Sequence, residues 1–232
     1  IRKDGSQFPV EISAQKLSDG RIQGIVRDIT ERVQTEKKQK NYTRQQAAVA
    51  ALGQRALLGI ELEQLFDETV KLVADTLSLE YCKILQMLPD RQNLLLQAGV
   101  GWQDGLVGKA TVTTGINSQA GYTLISDKPV VAEDLSTEQR FKAPPLLSEH
   151  GIISGMSIKI SGKDQPFGVI GVHSRQKHTF TQDDVNFLQA ISNILTMAIE
   201  RKEAEEKYRL LVDSSPDAIL SLDEGLRILS YN

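Results

Sequence analysis

"LLSEHGIISGMSIKI", residues 146–160, sets a histidine beside an acid, then a glycine, then a run in which Met156, Ile158 and Ile160 alternate with Ser157 and Lys159. A period of two sends successive side chains to opposite faces, so the run reads as a strand with one face in a core. "FGVIGVHS" (167–174) alternates again, with Val169, Gly171 and His173 set against Ile170, Val172 and Ser174, and the Gly, Asp and Pro of "SGKDQP" (161–166) make the turn between them. The pattern then lengthens to a helical period. "TQDDVNFLQAISNILTMAIERKEAEEKYRLLVD" (181–213) opens on Thr181 as N-cap, with Asp183 and Asp184 in the first turn, where negative charge is favoured. Phe187, Ile191, Ile194 and Ala198 recur at intervals of four, three and four, and the stripe continues through Arg201 and Glu205 to Tyr208. A stripe that is apolar to Ala198 and then charged predicts a helix that packs on its own domain and then leaves it as a rod, with the seam of a parallel dimer along it.

Upstream, Leu62, Leu65, Phe66, Thr69, Leu72, Val73 and Leu77 fall near helical spacing, and "EYCKILQML" (80–88) and Asn93 to Ala98 read as strands. A glycine-rich connection (99–115), a short helix in "SQAGYTLISDK" (118–128), a strand in "PVVAEDL" (129–135) and a loop with a short helix (136–150) complete the unit. The order describes an α+β domain: an antiparallel sheet with helices gathered on one face.

Both flanks differ. Residues 1–30 hold two alternating runs, Phe8 to Ala14 and Ile22 to Val26, joined through Ser18, Asp19 and Gly20 as a hairpin. Two strands alone are marginal in water, so the hairpin is expected to belong to a sheet whose other strands lie upstream of residue 1. From Thr30 the chain turns polar, Pro-free and rich in helix formers, which predicts a long connecting helix. After Asp213, "SSPDAILSLDEGLRILSYN" reads as two short strands about an Asp-Glu-Gly turn, and both ends of the chain read as cut.

The bulk numbers exclude several classes. A formal charge of -3 with both signs intermixed gives no basic footprint for a nucleic acid or an anionic membrane surface. The apolar runs fall well short of the roughly 20 residues that cross a bilayer. Cys82, the one cysteine, excludes an internal disulfide and a cysteine-rich zinc cluster; it reads as a buried structural thiol in a cytosolic protein. "GVGWQDGLVGKAT" is not a phosphate loop, because Ala110 follows its Gly-Lys and Gln103 stands where the first glycine belongs. His150, His173 and His178 lack the spacing of a metal pair.

Three segments resemble known families. "RKDGSQFPVEIS" followed by "GRIQGIVRDITER" resembles the end of a PAS domain, with Asp28, Ile29, Thr30 and Arg32 marking the exit into a signalling helix. "EKYRLLVDSSPDAILSLDEGLRILSYN" resembles the start of a second PAS domain, with Asn232 opening its first pocket helix. "GLVGKA", "GYTLISDKPVVAEDL", Arg140-Phe141, "HGIISGMSIKI", "FGVIGVHS" and "FTQDDVNFLQAISNILTMAIE" resemble a GAF domain in order and spacing. The layout implied is a PAS end over 1–30, a linker helix over 31–46, a GAF domain over 47–200, a signalling helix over 201–213 and a PAS start over 214–232.

Such a series resembles the sensory half of a bacterial signalling protein, most often a histidine kinase and sometimes a diguanylate cyclase. It implies a non-catalytic, cytoplasmic relay, a parallel homodimer through the linker helices, and a transmitter domain after Asn232. The resemblance places Asp134, Phe141, Leu146, Leu147, His150 and Met156 at a small-molecule pocket whose ligand is unknown. Bilin-carrying relatives commonly have a cysteine directly before the pocket histidine; here that residue is Glu149, so no covalent bilin is expected. Lys142, Ala143, Pro144 and Pro145 after Phe141 break the cyclic-nucleotide motif. A ligand-free dimerisation module is the alternative. A methionine sulfoxide reductase of this fold needs reactive cysteines that Cys82 alone does not supply.

Overall fold

The protein's computed structural model describes residues 5–213, 220–222 and 227–231. By contacts the chain divides into two units, Ile1–Ala47 and Ala48–Asn232. In the first, β1 (Val10–Lys16) pairs antiparallel with β2 (Ile22–Asp28), with Ile12 opposite Val26. The alternation puts Val10, Ile12, Ala14, Ile22 and Val26 on one face, and all of them are exposed. On the other face Glu11 lies 3.8 Å from Arg27 and 3.9 Å from Arg32. The Asp28 carboxylate accepts from the Thr30 N–H at 2.9 Å and the Thr30 hydroxyl at 2.5 Å, satisfying donors where α1 (Thr30–Leu57) begins. That helix is continuous past the expected linker boundary at residue 46.

In the second unit α2 (Leu62–Leu77) leads into β3 (Tyr81–Met87), β4 (Asn93–Val100) and β5 (Thr111–Thr113). Next come α3 (Gln119–Ile125), β6 (Val130–Ala132), α4 (Pro145–Ser148), β7 (Ser154–Ile160), β8 (Gly168–Ser174) and α5 (Gln182–Asp213). The six strands form one antiparallel sheet in the order β5-β4-β3-β8-β7-β6. The expected α+β class is thus the observed one. The three-residue edge strand β5 lies inside the segment read as a glycine-rich connection.

Two apolar cores flank the sheet. On one face Ala48 and Leu52 of α1, Leu65, Phe66, Val70 and Val73 of α2, and Leu188, Ile191 and Leu195 of α5 cover Cys82, Ile84, Met156, Ile158, Ile170 and Val172. The fork of Arg55 on Glu68, at 2.8 and 2.6 Å, ties the end of α1 to α2. On the other face α3, α4 and the loops cover Tyr81, Leu85, Leu94, Leu96 and Val169. The long helices therefore share one face as expected, while the two short helices lie on the other. A bulge at Gln97, where Ile84 pairs with Ala98 but Leu85 with Leu96, switches β4 from one core to the other.

Thr181 and Asp184 close α5's N-terminus reciprocally: Asp184 accepts from the Thr181 N–H and hydroxyl, and the Asp184 N–H donates to Thr181 Oγ1 at 3.2 Å. Burial along the helix stops at Ile199, and residues 203–211 are exposed. β9 (Leu220–Leu222) and β10 (Ile228–Tyr231) pair antiparallel, as expected for the last segment. The turn between them and the helix start at Asn232 lie outside the described residues. Among the described residues no helix is long and apolar enough to cross a membrane.

Candidate functional site

The face away from the long helices carries the site. Gly101 adopts φ +87°, and a Cβ there would collide with the Glu80 carbonyl and the Tyr81 ring, so only glycine makes this turn. The turn swings Trp102 back over the sheet, where its indole N–H donates to the Cys82 carbonyl at 2.8 Å. Its ring lies 5.0 Å from Tyr81, 5.0 Å from His150 and 5.9 Å from His173, centre to centre. The Gln103 N–H donates to His150 Nε2 at 3.1 Å, which assigns the proton to Nδ1, and Nδ1–H donates to the Leu146 carbonyl at 2.9 Å. Arg175 Nε donates to the His150 carbonyl at 3.0 Å. His150 thus pins the loop after β4 to the turn after α4, and both of its ring nitrogens are occupied.

Beneath this lid runs a row of side chains that is polar at the sheet's centre. Lys83, Gly171 and Ser157 stand abreast on β3, β8 and β7, with Tyr81, His173 and Gly155 in the next row. Lys83 is 2% exposed, and its ammonium lies 5.3 Å from the Trp102 ring centre. Burial brings its pKa down to about 7. His173 is fully buried; burial first, and Lys83 second, hold its pKa well below the usual histidine range. Its ring fills the space over Gly155, where a Cβ would run into Nδ1, and neither ring nitrogen has a hydrogen-bond partner. From above, Thr123 Oγ1 meets Ser157 Oγ at 2.7 Å. Gln119, one helical turn before it, is 2% exposed with both amide atoms unpartnered.

A profile of the GAF domain family matches residues 61–199, more than half of the chain. The chain belongs to the GAF domain family. Solved GAF domains share the fold. The one from a Coxiella burnetii phosphoenolpyruvate-protein phosphotransferase is 20% identical, with a TM-score of 0.63 over 73% of this chain and 99% of that one. The corresponding Acinetobacter domain gives 21%, 0.60, 70% and 97%. A phycoerythrobilin-bound GAF domain of a cyanobacterial phytochrome gives 21%, 0.58, 70% and 97%. No curated relative matches the chain.

Within the GAF domain, four of the six expected pocket residues come together. Phe141, Leu146, Leu147 and His150 are buried under the lid in one cluster with Trp102 and Leu85. Met156 is a correction: it lies on the opposite face, fully buried against the long helices with Cys82 and Val172. Its alternation with Ser157 already groups it with Ile158 and Ile160, and the sheet keeps that parity. Asp134 is also not part of the cluster. Its carboxylate accepts from the Ser136 N–H at 2.9 Å and hydroxyl at 2.6 Å and pairs with Lys177 at 2.6 Å, and these contacts, Lys177 foremost, hold its pKa at about 2. Cys82 is fully buried on the helix face, where burial pushes the thiol pKa up and keeps it unreactive.

Sequence reasoning missed Lys83 and Gln119 and read His173 only as a strand residue without a metal partner. The available signal was Lys83's alternation with Tyr81 and Leu85: a lysine in phase with a strand's apolar face is out of place unless something needs it there.

Proposed function

We propose that this GAF domain is a sensory relay in a multidomain bacterial signalling protein, a histidine kinase by its resemblance, in which the state of the lidded face biases α5. The observation that carries the reading is α5 itself. It is one continuous helix, buried on the sheet to Ile199 and exposed toward Asp213. Ser192 Oγ–H donates to the Lys159 carbonyl of β7 at 2.7 Å, joining the helix to the strand whose Ser157 faces the lid. A ligand preferring one arrangement of lid and sheet would shift the helix by small rotation or tilt.

The hairpin of the first unit, with its exposed apolar face and its Asp28 cap, supports the reading as the end of a PAS domain, and β9 with β10 supports a second PAS start. Both resemblances are part of the proposal. The same proposal makes the segment cytoplasmic and non-catalytic, with its output domain elsewhere in the polypeptide. A ligand-free structural module is the second reading, favoured by the continuous packing of Phe141, Leu146 and Leu147 under the lid.

Parallel dimerisation along α5 is testable by oxidative cross-linking of the full chain, because Cys82 is buried and silent. Tyr208→Cys, on the stripe, should form an intermolecular disulfide readily, whereas Leu210→Cys, about 200° away around the helix, should not. A monomer at high micromolar concentration, or equal cross-linking at both positions, overturns the relay dimer.

A further inference from the structure

We infer that the lidded face of this GAF domain is a site for a small monocarboxylate. Its oxygens would accept from Lys83 Nζ and a ring N–H of His173, and the Gln119 amide would meet the remainder of its polar head. The inference rests on the reading of the domain as a ligand-responsive relay and names the class of ligand.

Three observations converge. First, Lys83 is buried at the centre of the sheet, yet no Asp or Glu is buried among the described residues, and no carboxylate pairs with it. An ammonium this nearly stripped of water, with no counter-charge beside it, is destabilised until an anion joins it. Second, both ring nitrogens of His173 and both amide atoms of Gln119 are buried without partners, although buried polar groups are ordinarily hydrogen-bonded. Third, these groups are neighbours under the lid. His173 stands in the row beside Lys83, and Gln119 lies a turn from Thr123, which bonds to Ser157 in the Lys83 row.

The surroundings select the class. One cation matches one negative charge; a dianion would leave a second charge unpaired among Trp102, Tyr81, Leu85, Phe141 and Leu147. A cation is repelled by Lys83. A buried water would satisfy His173 or Gln119 but would leave the charge of Lys83 uncompensated. An apolar body on the carboxylate suits the aromatic lid. Entry goes through the lid, where Trp102 and the Gln103–His150 hydrogen bond must be displaced.

Trp102 is the one tryptophan of the chain, so its emission reports this site alone. The full chain is titrated at pH 7 and constant ionic strength with sodium propionate, propionamide, propylammonium chloride and sodium chloride. Propionate should give a saturable change, propionamide should bind at least about tenfold more weakly, and the two chlorides should give none. Lys83→Met should weaken propionate at least about tenfold, and Gln119→Leu should weaken it less. Affinity in the unmodified chain should fall as pH rises through the deprotonation of Lys83. Tyr81, His150 and His173 also surround Trp102, and Arg175 lies over Tyr81, so this fall must vanish in Lys83→Met.

No saturable change with propionate, or undiminished binding in a folded Lys83→Met variant, overturns the proposal. If that variant does not fold, Gln119→Leu and the pH dependence of the unmodified chain decide. Equal binding of propionate and propionamide sinks the carboxylate and leaves the relay standing. The relay itself falls only on the α5 cross-linking, which needs no ligand.

Discussion

The two faces of one sheet bury their side chains in opposite ways. Toward α2 and α5 the strands present Cys82, Ile84, Met156, Ile158, Ile160, Ile170 and Val172, and the helices answer with Leu, Val, Phe and Ile. The buried hydroxyls on that side have local partners: Thr69 donates to its own helix at 2.6 Å, and Ser192 to Lys159 at 2.7 Å. Toward the lid the same strands present Lys83, Ser157 and His173 among aromatic rings, under short helices and loops. The first face is built for stability. The second retains buried groups whose needs are unmet, a combination that costs stability and persists where a site requires it. In the proposed relay the difference makes the lid the responsive part and α5, packed on the stable face, the output that it biases.

The contrast breaks most readily at the extremes of each face. Leu188→Ala, in the middle of the helix-side core, should lower the unfolding free energy by about 4 kcal/mol, read as a shifted urea midpoint at unchanged slope. A loss near zero would mean that α5 is not held by this face. Lys83→Met should act in the opposite direction on the ligand-free chain, stabilising it by roughly 2–3 kcal/mol at pH 7. The sign follows from linkage. Lys83 titrates at about 7 in the folded protein, against about 10.4 in an unfolded chain. Between those values the unfolded chain binds more protons, so stability rises with pH, and the full penalty is present below about 7. In Lys83→Met that rise should disappear. A slope unchanged by the substitution would show that Lys83 is not the buried charge it is taken for.

Much of this arrangement is legible in the sequence, and the rest has physical reasons for being hidden. The period-two runs find β1, β2, β7 and β8, and Thr181 with Asp184 marks the start of α5. The strand β5 escapes because three residues between glycines cannot display a period. The bulge at Gln97 reverses which face residues 94 and 96 share with 98 and 100, and no local pattern announces it. Met156 was misassigned by family resemblance against its own alternation. Lys83 and His173 were missed because their burial is decided by neighbours distant in sequence: β3 and β8 are flanked on both sides, and Trp102 closes over them from a loop. A strand's phase can be read locally, but its position in the sheet cannot.

His150 gives the smallest and most discriminating test of the lid. Read from sequence, it could end a short helix or touch a ligand; in the structure its ring accepts from the Gln103 N–H and donates to the Leu146 carbonyl, so it acts as a clasp between two loops. His150→Ala should leave the fold intact and cost about 1–2 kcal/mol, since the Gln103 N–H and the Leu146 carbonyl lose their partner and two loops lose a tether. Amide exchange should quicken in residues 101–110 and 141–151 while α5 keeps its protection up to Ile199. Global unfolding would instead make His150 part of the stabilising core, and protection lost along α5 as well would mean that the two faces are not separable. If only the lid loosens, the clasp sits on the responsive face and the long helices hold the rest without it.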